Sequence, residues 1–87
     1  RIDDVYYLSG MMSLASKDYG PALKEFNRII TVYPFSNKKV AALFAKGAVL
    51  KKMEMPELAK AEFNKIVARY PGSPEALRAR NELRLMK

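Results

Sequence analysis

Glu25–Ser36 reads EFNRIITVYPFS and Glu62–Ser73 reads EFNKIVARYPGS, the same phrase after an interval of 37 residues. Carried upstream without a gap, this register also pairs Gly10 with Gly47 and Ala22 with Ala59, which makes nine identical positions in one ungapped alignment of the chain on itself. Two amphipathic helices of similar period would share apolar positions, but not Gly, Asn, Pro and Ser at matching places. An interval of this length marks stacked supersecondary units, each burying its apolar face on its neighbour.

Each unit contains two helical stretches. In the second stretch of the first unit, Ala22, Leu23, Phe26, Ile29, Ile30 and Tyr33 make one apolar stripe, with Lys24, Glu25 and Arg28 turned outward. Leu58, Ala59, Phe63, Ile66, Val67 and Tyr70 repeat that stripe in the second unit. The first stretches, Val5 to Ala15 and Val40 to Met53, are apolar nearly all round. Such a helix is either covered on two sides or presents a sticky face to a partner. Turn signals separate the stretches: Lys17 to Pro21, where Asp18 can cap a helix whose first turn tolerates Pro21, and Pro34 and Pro71, which stop each second helix at its Tyr. Ser36 and Ser73 are the expected caps of the next helices, with Pro74 in the favoured first helical position and Glu75 beside the positive end of the dipole. The last segment puts Ala76, Ala79, Leu83 and Met86 on one stripe, as a helix closing a short stack does. Neither sustained two-residue alternation nor a hairpin dipeptide is present. The expected fold is therefore all-α, a helical-hairpin solenoid in a single domain, 1–87, with repeat 1 at about 3–36, repeat 2 at about 37–73 and a C-terminal capping helix at 74–87.

Composition limits the chemistry. The chain of 87 residues contains no His and no Cys, which excludes a Ser-His-Asp triad, a thiol nucleophile, a Cys/His zinc site and a disulfide. The close carboxylate pairs, Asp3–Asp4 at the start and Glu54/Glu57 in a turn, read as solvated caps rather than an acid–base pair. No enzyme activity, cofactor or metal is expected. No run approaches the roughly 18 apolar residues of a membrane span, and the opening on Arg1 rather than Met reads as a piece of a longer precursor. Sixteen basic against nine acidic residues leave a net charge of +7, with ten of the basic residues from Lys46 onward. That excess raises an anionic partner such as nucleic acid. Lys24, Arg28, Lys60, Lys65 and Arg69 are spread on outward helix faces beside Glu, however, and the aromatics fall on packing positions rather than between basic residues, so nucleic acid is not expected.

These residues resemble the tetratricopeptide repeats, in which a bulky residue, a small one four places on, then Ala, an aromatic, a small or apolar residue and Pro stand at fixed offsets. Tyr6, Gly10, Ala22, Phe26, Ile29 and Pro34 hold those places in the first unit, and Leu43, Gly47, Ala59, Phe63, Ile66 and Pro71 in the second. The departures are Tyr6 and Leu43 for the frequent Trp, Ser9 and Lys46 for the usual Leu, and Ile29 and Ile66 where Ala is commonest. The resemblance implies that Gly10 against Ala22 and Gly47 against Ala59 let paired helices approach, while Phe26 and Phe63 fill the space between repeats.

The 37-residue period, the phrase Tyr-Pro-x-Ser at each repeat end and the close on Arg-Leu-Met-Lys are similar to the C-terminal repeat domain of the Tol-Pal-associated periplasmic family of the YbgF/CpoB type. That family usually carries about three repeats, against two and a cap here. It implies a periplasmic, non-enzymatic protein-interaction scaffold coordinating envelope constriction with cell-wall synthesis. The same phrase occurs in outer-membrane assembly lipoproteins of the BamD type. A self-assembling repeat module is a rival reading, and an anionic-polymer binder a third. The tetratricopeptide families that grip chaperone C-termini use a Lys/Asn/Arg clamp; Tyr7, Met11 and Ala45 occupy three of its places, which disfavours that ligand. The inner-face set Tyr7, Met11, Leu14, Phe44, Ala48 and Lys51 is the candidate partner surface, an adaptable apolar groove for a protein or peptide with Lys51 at its edge for an acidic group. Tyr7, Met11 and Phe44 are equally readable as core. Val5, Tyr6, Leu8 and Met12 are expected to face another chain or an upstream repeat.

Overall fold

A computed structural model describes residues 1–86. Five helices follow one another: α1 (Ile2–Ala15), α2 (Tyr19–Val32), α3 (Lys39–Lys52), α4 (Pro56–Arg69) and α5 (Pro74–Leu85), with no strand among the described residues. Lys87, the last residue of the expected capping helix, lies outside them. Each helix packs chiefly on the next in sequence. α1 also touches α3, and α3 touches α5, whereas the backbones of α2 and α4 stay apart. The first helices of the hairpins therefore form the inner layer of a curved, two-layer stack measuring 35 × 27 × 17 Å.

Four of the nine identities, the paired Gly, Ala, Phe and Ile positions, have a shared packing role. Phe26 and Phe63 are wholly buried, as are Ala22, Ile29, Ala59 and Ile66. A Cβ built on Gly10 would stand 2.6 Å from Cε1 of Phe26, and one on Gly47 would stand 2.7 Å from Cε1 of Phe63. The glycines thus make room for the phenyl ring of the same hairpin, a closer constraint than the expected Gly–Ala approach, and the rings fill the space inside each hairpin. Leu23 and Ile30 of α2 pack against both clusters and weld the repeats together.

Several boundaries depart from the sequence reading. The turn inside each hairpin closes on a residue in the left-handed region, Lys17 (φ 63°) and its equivalent Glu54 (φ 60°). The Asp18 amide donates to the Ser13 carbonyl at 2.8 Å and the Lys17 amide to Leu14 at 3.0 Å; Met55 to Leu50 and Glu54 to Lys51 repeat the pattern. These are the paired bonds of a Schellman motif, formed without the usual glycine. Gly20 already lies within α2, and Asp18 takes the N-cap position without a side-chain cap bond. Ser73 caps α5, its Oγ accepting from the Ala76 amide at 3.0 Å. Ser36 does not cap α3: its Oγ accepts from the Lys38 amide, one residue before the helix starts. Leu58, expected on the buried stripe of α4, is exposed because it faces away from α3 and α5.

Candidate functional site

The inner layer carries a groove of about 200 Å³ between α1 and α3, ending against α5. Tyr7, Met11 and Leu14 lie at i, i+4 and i+7 on one face of α1, and Phe44 and Ala48 stand at the places of Tyr7 and Met11 one repeat later. The structure brings these five together on the groove wall, with Ala41 and Ala45 completing the floor and Glu75 and Arg78 closing one end.

Each aromatic of the groove is also supported from below. The Tyr7 ring sits 6.0 Å from that of Phe26, and the Phe44 ring 5.4 Å from that of Phe63, both tilted. Tyr7 and Phe44 are half-buried and belong to core and groove at once, while Met11 is 39% exposed. The Lys38 ammonium lies 5.3 Å over the Tyr7 ring and adds a cation–π contact. Lys51 does not line the groove. Its Nζ donates to Oε1 of Glu82 at 2.7 Å, an ion pair tying α3 to α5. The charged groups at the groove are instead Glu75 and Arg78. Arg78 was legible from the period, since it stands at the place of Ala41, which lines the groove one repeat earlier; Glu75 was not.

Two charged groups are buried where the sequence suggested solvation. Asp3 is 5% exposed. Its carboxylate accepts from Nη2 of Arg1 at 2.9 Å and from Oγ of Ser36 at 2.6 Å, and its Oδ1 accepts from the Asp4 amide at 3.0 Å. The hydrogen bonds from Arg1, then from Ser36, hold the carboxyl well below the usual aspartate range, against the opposing effect of burial. Asp3 is thus no solvated cap but a tie from α1 to the α2–α3 corner. Glu62 lies 3.5 Å from Lys46 and 3.6 Å from Lys65, an arrangement that joins α3 to α4. Its Oε1 has no hydrogen bond, so the pairing is purely ionic there. Lys46 therefore has a partner at the place where the family pattern usually holds Leu. Among the outward basic residues, Arg28 lies 5.2 Å over the Tyr6 ring and Lys60 lies 3.7 Å from Glu57.

The groove can take apolar side chains between two rigid helices, with both signs of charge at its α5 end. No helix of the described residues is long and apolar enough to cross a membrane. Residues 41–73 match the tetratricopeptide repeat family, a span covering most of α3, all of α4 and the turn to Ser73. No curated protein matches the chain. The helical-hairpin packing of the five helices is consistent with repeats of this type, which generally mediate protein–protein interaction.

Proposed function

We propose that this tetratricopeptide-type chain is a non-enzymatic scaffold of the bacterial cell envelope, of the Tol-Pal and cell-division-associated kind, that seats a segment of a periplasmic partner protein in the groove between α1 and α3. The observation that carries the binding reading is the groove itself: Met11 stays exposed beside Tyr7 and Phe44, whose rings are held in place by Phe26 and Phe63. Pre-positioned aromatics lose little freedom on binding, which favours anchoring an apolar side chain. The envelope assignment draws on the phrase Tyr-Pro-x-Ser at 33–36 and 70–73.

Because Tyr7 and Phe44 also support the core, the test uses Met11→Glu and Ala48→Glu. Both place a carboxylate in the groove without touching the phenyl spacers. The native chain, immobilised and exposed to a bacterial envelope extract, is expected to retain a periplasmic protein that either variant releases, with helicity unchanged. Equal capture by native and variant chains refutes the groove; capture of cytoplasmic proteins alone refutes the envelope.

A further inference from the structure

The outer face of α1 is the least explained surface of the molecule. Val5, Leu8 and Met12 are 61%, 63% and 70% exposed, although their equivalents one period later, Ala42, Ala45 and Val49, are no more than 5% exposed. In the second repeat this face is covered by α2; in the first no helix among the described residues covers it. The apolar strip runs on through Ile2 to Val32 and Phe35, the last almost fully exposed. At the places of Val32 and Phe35 the second repeat has Arg69 and Gly72, so this strip is not repeated there.

We propose that this face binds a second copy of the chain, the two α1 helices packing antiparallel about a two-fold axis. Shape is the first reason. The ridge of Val5, Leu8 and Met12 runs beside a row of small residues, Ser9, Ser13 and Ser16, and together with Asp18 at the end of the row they border a hollow of about 460 Å³. One surface thus carries both a ridge and a groove, the requirement for an isologous helix pair in which each ridge enters the partner's groove. Charge is the second reason. From Val5 to Ser16 there is no ionisable carboxylate, ammonium or guanidinium. Residues 1–20 hold two basic and three acidic groups, whereas residues 21–87 hold fourteen and six. Two copies of a strongly basic protein meet least repulsion at this end. The register supplies the third reason, because the equivalent face of α3 is already a helix-packing face within the chain. The pairing is independent of the groove between α1 and α3 and stands whether or not that groove takes a partner.

Sedimentation of the 87-residue chain from micromolar to near-millimolar concentration tests the pairing. A monomer–dimer equilibrium is expected, with Leu8→Arg and Met12→Arg each raising the dissociation constant on the order of 100-fold, because every substitution acts twice in a symmetric pair. Both side chains are exposed in the single chain, so helicity and unfolding midpoint at dilute concentration stay unchanged. The chain has no cysteine, so Ser9→Cys, near the centre of α1, gives a clean cross-link: air oxidation is expected to yield covalent dimer, and Lys24→Cys on α2 is not. A monomer throughout, a dimer indifferent to Leu8→Arg and Met12→Arg, or cross-linking at Lys24→Cys in preference to Ser9→Cys overturns the proposal. In the first case the strip is left for a helix of another protein or of a preceding repeat. The groove variant Ala48→Glu leaves the dimer intact, which separates this surface from the proposed partner site.

Discussion

Replacing Gly10 by Ala tests the packing argument most sharply, because local propensity and tertiary contact predict opposite signs. In an open helix the change stabilises by about 1 kcal/mol. Here the added Cβ would stand 2.6, 2.8 and 3.0 Å from Cε1, Cζ and Cδ1 of Phe26. Carbon atoms prefer about 3.5–4.0 Å, so the deficit is close to an ångström at three ring atoms together. The ring cannot swing away: it is wholly buried, with the tilted Tyr7 ring 6.0 Å from it and Ala22 and Ile29 packed in the same cluster. Relief must come from moving α1 off α2. Overpacking of this kind costs about 1–3 kcal/mol, and the upper part of that range applies to a rigid aromatic neighbour. Subtracting the propensity gain leaves a net loss of about 1–2 kcal/mol, a substantial share of the stability of so small a domain. The control is Gly20→Ala in the first turn of α2, where an added Cβ meets nothing within 4 Å; it should be neutral or stabilising. Urea unfolding followed by circular dichroism measures both. Phe26→Leu combined with Gly10→Ala should cost less than the sum of the two single changes, since the smaller side chain frees the space. Gly10→Ala stabilising the chain as Gly20→Ala does would refute the close-approach reading, and with it the explanation of why glycine recurs at position 47.

Lys17→Gly and Glu54→Gly should each stabilise by about 0.5–1 kcal/mol, raising the thermal midpoint by several degrees, because glycine adopts the left-handed Schellman position without the penalty a side chain bears; unchanged midpoints would show that this conformation is not the one populated in solution. Asp3→Asn should destabilise at neutral pH in a way that disappears in acid. The folded-state pKa of Asp3 is depressed, so its contribution is complete above the ordinary aspartate value of about 3.9 and is lost as pH falls below that toward the folded value. Unfolding midpoints of native chain and variant should therefore converge as pH is lowered through about 4, and a gap that stays constant into strong acid would mean that the Arg1 and Ser36 bonds do not favour the ionised form.

The amino-acid sequence by itself determined the features that depend on near neighbours and on repetition. Pro34 and Pro71 end α2 and α4 because a missing amide and a restricted preceding residue act locally. Gly10, Ala22 and Phe26 recur as Gly47, Ala59 and Phe63 at one interval, so the hairpin and its all-helical stacking were readable from the chain alone, while the facing of each glycine to the phenyl ring was not. The groove residues Tyr7, Met11, Leu14, Phe44 and Ala48 came from the same periodicity. The tertiary structure alone decided the rest, because those features depend on groups far apart in the chain. Asp3 is buried since Ser36, 33 residues away, reaches its carboxylate. Lys51 leaves the groove because Glu82, 31 residues on, neutralises it. The apolar faces of α1 and α3 look alike in sequence, yet one is buried and the other open. Hydrophobicity records that a surface is suited to burial; only the arrangement of the helices shows which surface has found something to cover it.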